Sequence, residues 1–224
     1  MKLNFSLEIA LGLLIVAGGC VFAHAQMAAQ RTTPKAPRTP AVGAGALSNS
    51  YPKPQINAEQ GIGAFEPDFY LQDQNGNNFD LQKQRGHWVL LFFYRGYWSG
   101  ECMAEMRDLA AHTADLAKLD VELVAISVDN QQHAHDVWEG AAQKKVTILS
   151  DPDLAVIRRW GLLHAGGHDG KDIALRATVF VGQNGREQWR RVSRSAVDIP
   201  SWNETLAQIK KAQSIPQQAA PAKL

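Results

Sequence analysis

Residues Trp88–Cys102 read WVLLFFYRGYWSGEC. The first seven, Trp88 to Tyr94, are continuously apolar and aromatic and too short for a buried helix, so they predict a strand covered on both faces. From Ser99 the period changes: Met103, Met106, Leu109, Ala110 and Leu116 recur at helical spacing and predict a helix over Cys102–Leu119. A strand running straight into a helix puts Cys102 in the first helical turn. There the backbone N–H groups lack partners and the positive end of the helix favours an anion. A thiol so placed is expected to ionise. Ser99 suits the N-cap of the same helix, and its hydroxyl can reach a residue three positions on.

The pattern continues on both sides. PDFYLQDQNGN predicts a short strand ending in a turn, VELVAISVD (Val121–Asp129) a second buried strand, and NQQHAHDVWEGAAQKK a helix. VTILSD (Val146–Asp151) reads as a third strand of this core and LAVIRRW as a short helix, followed by an irregular, flexible Gly-rich stretch, GLLHAGGHDGKD. ATVFVGQNGREQWRRV predicts a hairpin turning at Gln183, Asn184 and Gly185, and SWNETLAQIKKAQ a helix capped by Ser201. Strands separated by helices imply parallel βαβ units, to which the hairpin adds antiparallel strands. The expected fold is therefore α/β: a three-layer sandwich with a mixed central sheet flanked by helices.

The 224 residues suffice for one ordinary domain plus tails. The formal charge of +1 is spread without blocks of one sign, which excludes a basic footprint for nucleic acid. Lys2 precedes an apolar stretch, Ile9–Ala23, ending in Ala23, His24, Ala25, the pattern of a secretory leader over residues 1–25. Two further readings stay open: lipid attachment at Cys20 in VAGGC, and an uncleaved anchor. All three send the domain across a membrane, to a periplasmic or secreted location. Residues 26–60, rich in Ala, Pro and Thr, are expected to be a flexible linker, 61–213 the domain, and 214–224 a disordered tail. With the leader set aside, Cys102 is the single thiol, so no internal disulfide is expected.

FFYRGYWSGEC resembles the active-site segment of the peroxiredoxins, the alkyl hydroperoxide reductase and thiol-specific antioxidant superfamily. Its members carry Pro, three residues, Thr or Ser, two residues and then the peroxide-reducing cysteine. The resemblance extends through PDFYLQDQNGNNFDL, VELVAISVDN, ILSDPDLAVIRRWGL and LRATVFVGQNG, from Phe65 to Val192. It implies a thioredoxin-like fold and thiol-dependent reduction of hydrogen peroxide or organic hydroperoxides. In that reading Cys102 is the nucleophile, Ser99 orients it, and Arg176 steadies thiolate and departing oxygen. Arg95, Tyr97, Trp98 and Glu101 would form the substrate pocket. Peroxide cleavage needs a thiolate, an orienting donor and positive charge where the leaving oxygen develops charge, and these residue types supply them.

One position departs from that pattern: Arg95 stands where most peroxiredoxins place proline. RGYW resembles instead a thioredoxin-related branch with FYRGxWCPxC, in which Ser99 replaces the first cysteine of a CxxC. With one thiol, turnover requires an external thiol reductant, a thioredoxin-like protein or a small thiol. The alternative reading is a thioredoxin-like protein without peroxidase activity, acting as a monothiol or a binding module. A third reading is copper binding: Cys102 and Met106 lie four apart on one helical face, and with His164 or His168 they would suit Cu(I). CMAEM is a degraded form of the CxxxC of thioredoxin-like copper chaperones. His133 and His135, two apart on a helix, face different directions and do not suggest a shared metal. Phe92, Phe93 and Phe180 are expected in the core. Neither a phosphate-binding Gly-rich loop nor a dinucleotide fingerprint is present in the sequence, and no cofactor is expected.

Overall fold

The computed structural model describes residues 63–64 and 67–216. The expected leader, the linker and all of the tail beyond Pro216 lie outside the described residues.

The sheet is built on β3 (Trp88–Phe93), whose six residues are all buried. It pairs in parallel with β4 (Val121–Ser127), which pairs in parallel with β5 (Thr147–Ser150). Its other edge receives β8 (Ala177–Val181) antiparallel, and β9 (Glu187–Val192) follows β8. With β1 (Tyr70–Asp73) and β2 (Asn78–Asp80) beyond β5, the seven-stranded order is β2-β1-β5-β4-β3-β8-β9. The sheet is mixed, as expected.

Alternation along β3 divides the core in two. Trp88, Leu90 and Phe92 face α1 (Gly100–Ala111), α2 (Thr113–Lys118), α3 (Gln131–Glu139) and α5 (Trp202–Gln213). Val89, Leu91 and Phe93 face α4 (Ala155–Arg159) and the 3₁₀ turn Leu81–Gln84. Trp160 plugs the second face, with its ring 5.5 Å from Phe93 and 5.9 Å from Phe69. A strand covered on both faces has no polar side to show, which is why β3 reads as an unbroken apolar run.

Three expectations are corrected. The helix foreseen over Cys102–Leu119 stops at Ala111 and restarts at Thr113. The Thr113 hydroxyl bonds back to the Ala110 carbonyl at 3.0 Å, competing with the helical ladder. Meanwhile His112 stacks on Trp202 at 4.2 Å. The helix foreseen over NQQHAHDVWEGAAQKK ends at Glu139, with Gly140 as C-cap and Gln143 and Lys144 left-handed. The stretch GLLHAGGHDGKD is not irregular: it forms a two-stranded sheet of β6 (Leu163–His168) and β7 (Lys171–Ala174). Its turn is Asp169-Gly170, with φ of 49° and 74°, and left-handed backbone at both central positions makes the two-residue turn that matches strand twist.

Candidate functional site

The register of two strands assembles the site. β3 ends at Phe93, which pairs with Ala177 at the start of β8. The residues just past one strand and just before the other therefore meet at one end of the sheet: Tyr94–Cys102 on one side, Arg176 on the other.

Between β3 and α1 the chain turns through Gly96–Ser99, closed by the Ser99 N–H to the Gly96 carbonyl at 3.1 Å. Gly96 has φ +148°, and a Cβ there would lie 2.5 Å from the Trp98 indole nitrogen, so only glycine fits. Ser99 is the N-cap of α1, its hydroxyl oxygen accepting the Cys102 N–H at 3.3 Å. The same hydroxyl donates toward Glu101 Oε2 at 3.2 Å.

Cys102 is fully buried. Burial is the largest influence on its thiol and pushes its pKa above the ordinary value. A hydrogen bond from the Arg95 backbone N–H, one from Ser99 and the Arg176 charge pull it down, while Glu105 adds to the rise. Position at a helix start does not by itself ionise this thiol. The expectation from sequence weighed the helix and left out desolvation.

Arg176 is 1% exposed. Its Nε donates to Ser193 Oγ at 3.0 Å and lies 3.4 Å from Glu105 Oε2, and its Nη2 donates to the carbonyls of Ser195 and Asp198 at 3.2 and 3.0 Å. Nη1 is buried with no hydrogen-bond partner among the described residues. The guanidinium is thus fastened by two nitrogens and leaves the third unspent. Glu105 escaped the sequence reading because its interval from Cys102 looked merely helical. That spacing of three puts both on one face of α1, and burial raises the Glu105 carboxyl to about 7 despite the arginine beside it.

Of the four residues foreseen as one pocket, two line a cavity. Tyr97 and Trp98 wall a cavity of about 370 Å³ together with Asp129, His133, His168 and Lys171. Tyr97 stacks on His133 at 3.8 Å and Trp98 on His168 at 3.5 Å. Arg95 instead reaches the β6–β7 hairpin, donating to the Gly167 carbonyl at 2.9 Å, with its guanidinium 5.0 Å from the Trp98 ring centroid. Glu101 is exposed on the outer side of α1. Its carboxylate is tied to Ser99 and takes no part in that cavity.

Of the copper grouping, His168 is stacked on Trp98. Met106 is buried in the core with Cys102, and no cluster of three or more His, Cys, Asp or Glu side chains suited to a metal occurs among the described residues.

Comparison with known proteins agrees with this architecture. The chain is 28% identical to alkyl hydroperoxide reductase C of Escherichia coli over 159 residues, covering 67% of this chain and 82% of that protein. It superposes on the reduced 2-Cys peroxiredoxin of Plasmodium vivax with a TM-score of 0.60 at 26% identity, covering 68% and 82% of the two chains. The fold alone is shared with the alkyl hydroperoxide reductase C of Enterococcus faecalis, with a TM-score of 0.62, 22% identity, and coverage of 68% and 92%. Residues 62–189 match the AhpC/TSA family across the strand–turn–helix that carries Cys102 and the strand that follows Arg176, and the chain belongs to that family, with a thioredoxin-like fold.

Proposed function

We propose that this protein reduces hydrogen peroxide or organic hydroperoxides through Cys102 alone. The AhpC/TSA family is one of peroxide-reducing oxidoreductases that draw electrons from thiols. The observation that carries the finer reading is the pairing of a buried thiol at a helix start with a buried arginine whose Nη1 donors are unspent.

The Cys102 thiolate attacks the terminal oxygen of the peroxide. An S–O bond forms, the O–O bond breaks, and sulfur is oxidised by two electrons while the peroxide is reduced. The departing hydroxide or alkoxide takes a proton and leaves as water or alcohol, its developing charge met by Arg176. An external thiol then condenses with the sulfenic acid, releasing water and forming a mixed disulfide. A second external thiol releases Cys102 and carries away the disulfide. Export to the periplasm or beyond, with or without a lipid on Cys20, is part of the proposal and rests on the leader.

The rise in the thiol pKa and its complete burial favour a second reading, a family member whose cysteine has retired from catalysis. Intact-mass measurement after stoichiometric peroxide separates the two. One oxygen gained by the wild type and none by Cys102→Ala supports the peroxidase. A wild-type mass that stays put at neutral pH sinks it.

A further inference from the structure

We infer that Arg95 is a positioning residue of this site: its backbone N–H holds the Cys102 sulfur, and its side chain locks the turn that carries that N–H. The inference deepens the peroxidase reading and rests on it.

Two contacts define the arrangement. The Arg95 N–H forms a backbone hydrogen bond to Cys102 that favours the thiolate. The Arg95 guanidinium extends the other way, over the Trp98 ring at 5.0 Å and onto the Gly167 carbonyl at 2.9 Å. Trp98 is itself stacked on His168 of the same hairpin. The connection between β3 and α1, Tyr94–Ser99, is therefore tied to β6 at two points, and the sulfur's donor, Arg95, stands immediately before its tight turn. A donor fixed before the charge appears needs no rearrangement when the thiolate forms.

The chemistry is particular to this chain. Proline, the residue of the peroxiredoxin pattern at this position, has no N–H and cannot make the bond. The two views of Arg95→Pro thus have opposite signs. Restoring the family pattern would raise reactivity if Arg95 were only a surface substitution. If its N–H holds the sulfur, the same change lowers reactivity.

The thiol pKa, read from the pH profile of iodoacetamide alkylation, does not depend on peroxidase activity, so it survives failure of the proposed function. Arg95→Pro is expected to raise it by about one unit, which cuts the thiolate fraction about tenfold at a pH below both values. Arg95→Ala keeps the N–H and loosens the turn, and is expected to raise it by less. Arg95→Lys, which keeps the N–H and a cation for the Gly167 carbonyl, should return most of the wild-type profile. Arg95→Pro with an unchanged or lowered thiol pKa overturns the inference.

If Arg95→Pro does not fold, the wild type decides by NMR. The Arg95 amide resonance should move with the ionisation of Cys102, and that step should vanish in Cys102→Ala. His164, Glu105, Asp129 and Tyr94 also titrate near the turn, and the Cys102→Ala spectrum removes their steps from the comparison. An Arg95 amide that shows no Cys102-dependent step overturns the inference.

Discussion

The Ser99 hydroxyl has one hydrogen and two claimants, the Cys102 sulfur and the Glu101 carboxylate 3.2 Å away. A hydroxyl that donates to one does not donate to the other. Glu101→Ala is therefore expected to lower the thiol pKa, and Ser99→Ala to raise it while costing about 1 kcal/mol of helix capping. Alkylation profiles of the two variants should move in opposite directions, and a shift of both the same way would show that the hydroxyl is not shared. Arg176 makes a different demand. Arg176→Met removes the cation from the leaving oxygen and should slow peroxide oxidation of Cys102 by about 100-fold. It also strips Glu105 of its partner, but a carboxyl that already titrates near 7 can protonate instead of standing bare. The loss of stability from Arg176→Met should accordingly be larger at pH 8 than at pH 6 in urea melts.

At the scale of elements, the two-residue turn Asp169-Gly170 holds the β6–β7 hairpin, which supplies the carbonyl for Arg95 and the imidazole for Trp98. Replacing both residues with alanine puts a β-carbon on a left-handed glycine and discards the Asp side chain that tolerates that region, at roughly 1 kcal/mol or more. Amides of Leu163–Ala174 should then exchange faster with deuterium, while those of β3 and β4 keep their protection. The sequence holds a signal for this element that its reading as an irregular stretch passed over, since Asp-Gly is among the strongest hairpin signals a sequence offers. It was obscured by the glycines before it, Gly166 and Gly167, which read as a loop and form an irregularity in the ladder. By contrast β3 announced itself, because six buried residues in a row leave no other period to find. The break at His112 had no apolar signature at all; it comes from a threonine hydroxyl and a stacked ring supplied by α5.

For the whole molecule, the placement of Ser99, Cys102 and Arg176 follows from chain topology; the relation of Ser99 to Cys102 was readable from spacing, and Arg176 only from the resemblance to the peroxiredoxins. The state of the thiol was not. It depends on how far water is removed and on Glu105, quantities that arise only when both layers of helix close over the sheet. The same burial sets the pH dependence of folding. The Glu105 carboxyl is raised from 4.5 to about 7 in the folded chain, so its contribution is fully present below 4.5 and is lost as pH rises through 7. The magnitude is on the order of 3 kcal/mol. Asp129 and Asp151 are raised by burial too and act in the same direction. Asp198, held low chiefly by the Arg194 N–H and guanidinium and further by Arg191, acts oppositely, and its support is lost as pH falls below about 4. Urea midpoints should fall between pH 5 and pH 8, and Glu105→Gln should flatten that decline.

The pairing of Phe93 with Ala177 has one more consequence. Cys102 and Arg176 lie far apart along the chain and become neighbours only when β8 docks on β3 in that register. Long-range strand pairing of this kind is slow compared with helix formation. The thiol is therefore a clock for assembly: during refolding, its response to a pulse of peroxide should appear with the docking of β8, later than the helical signal of α1.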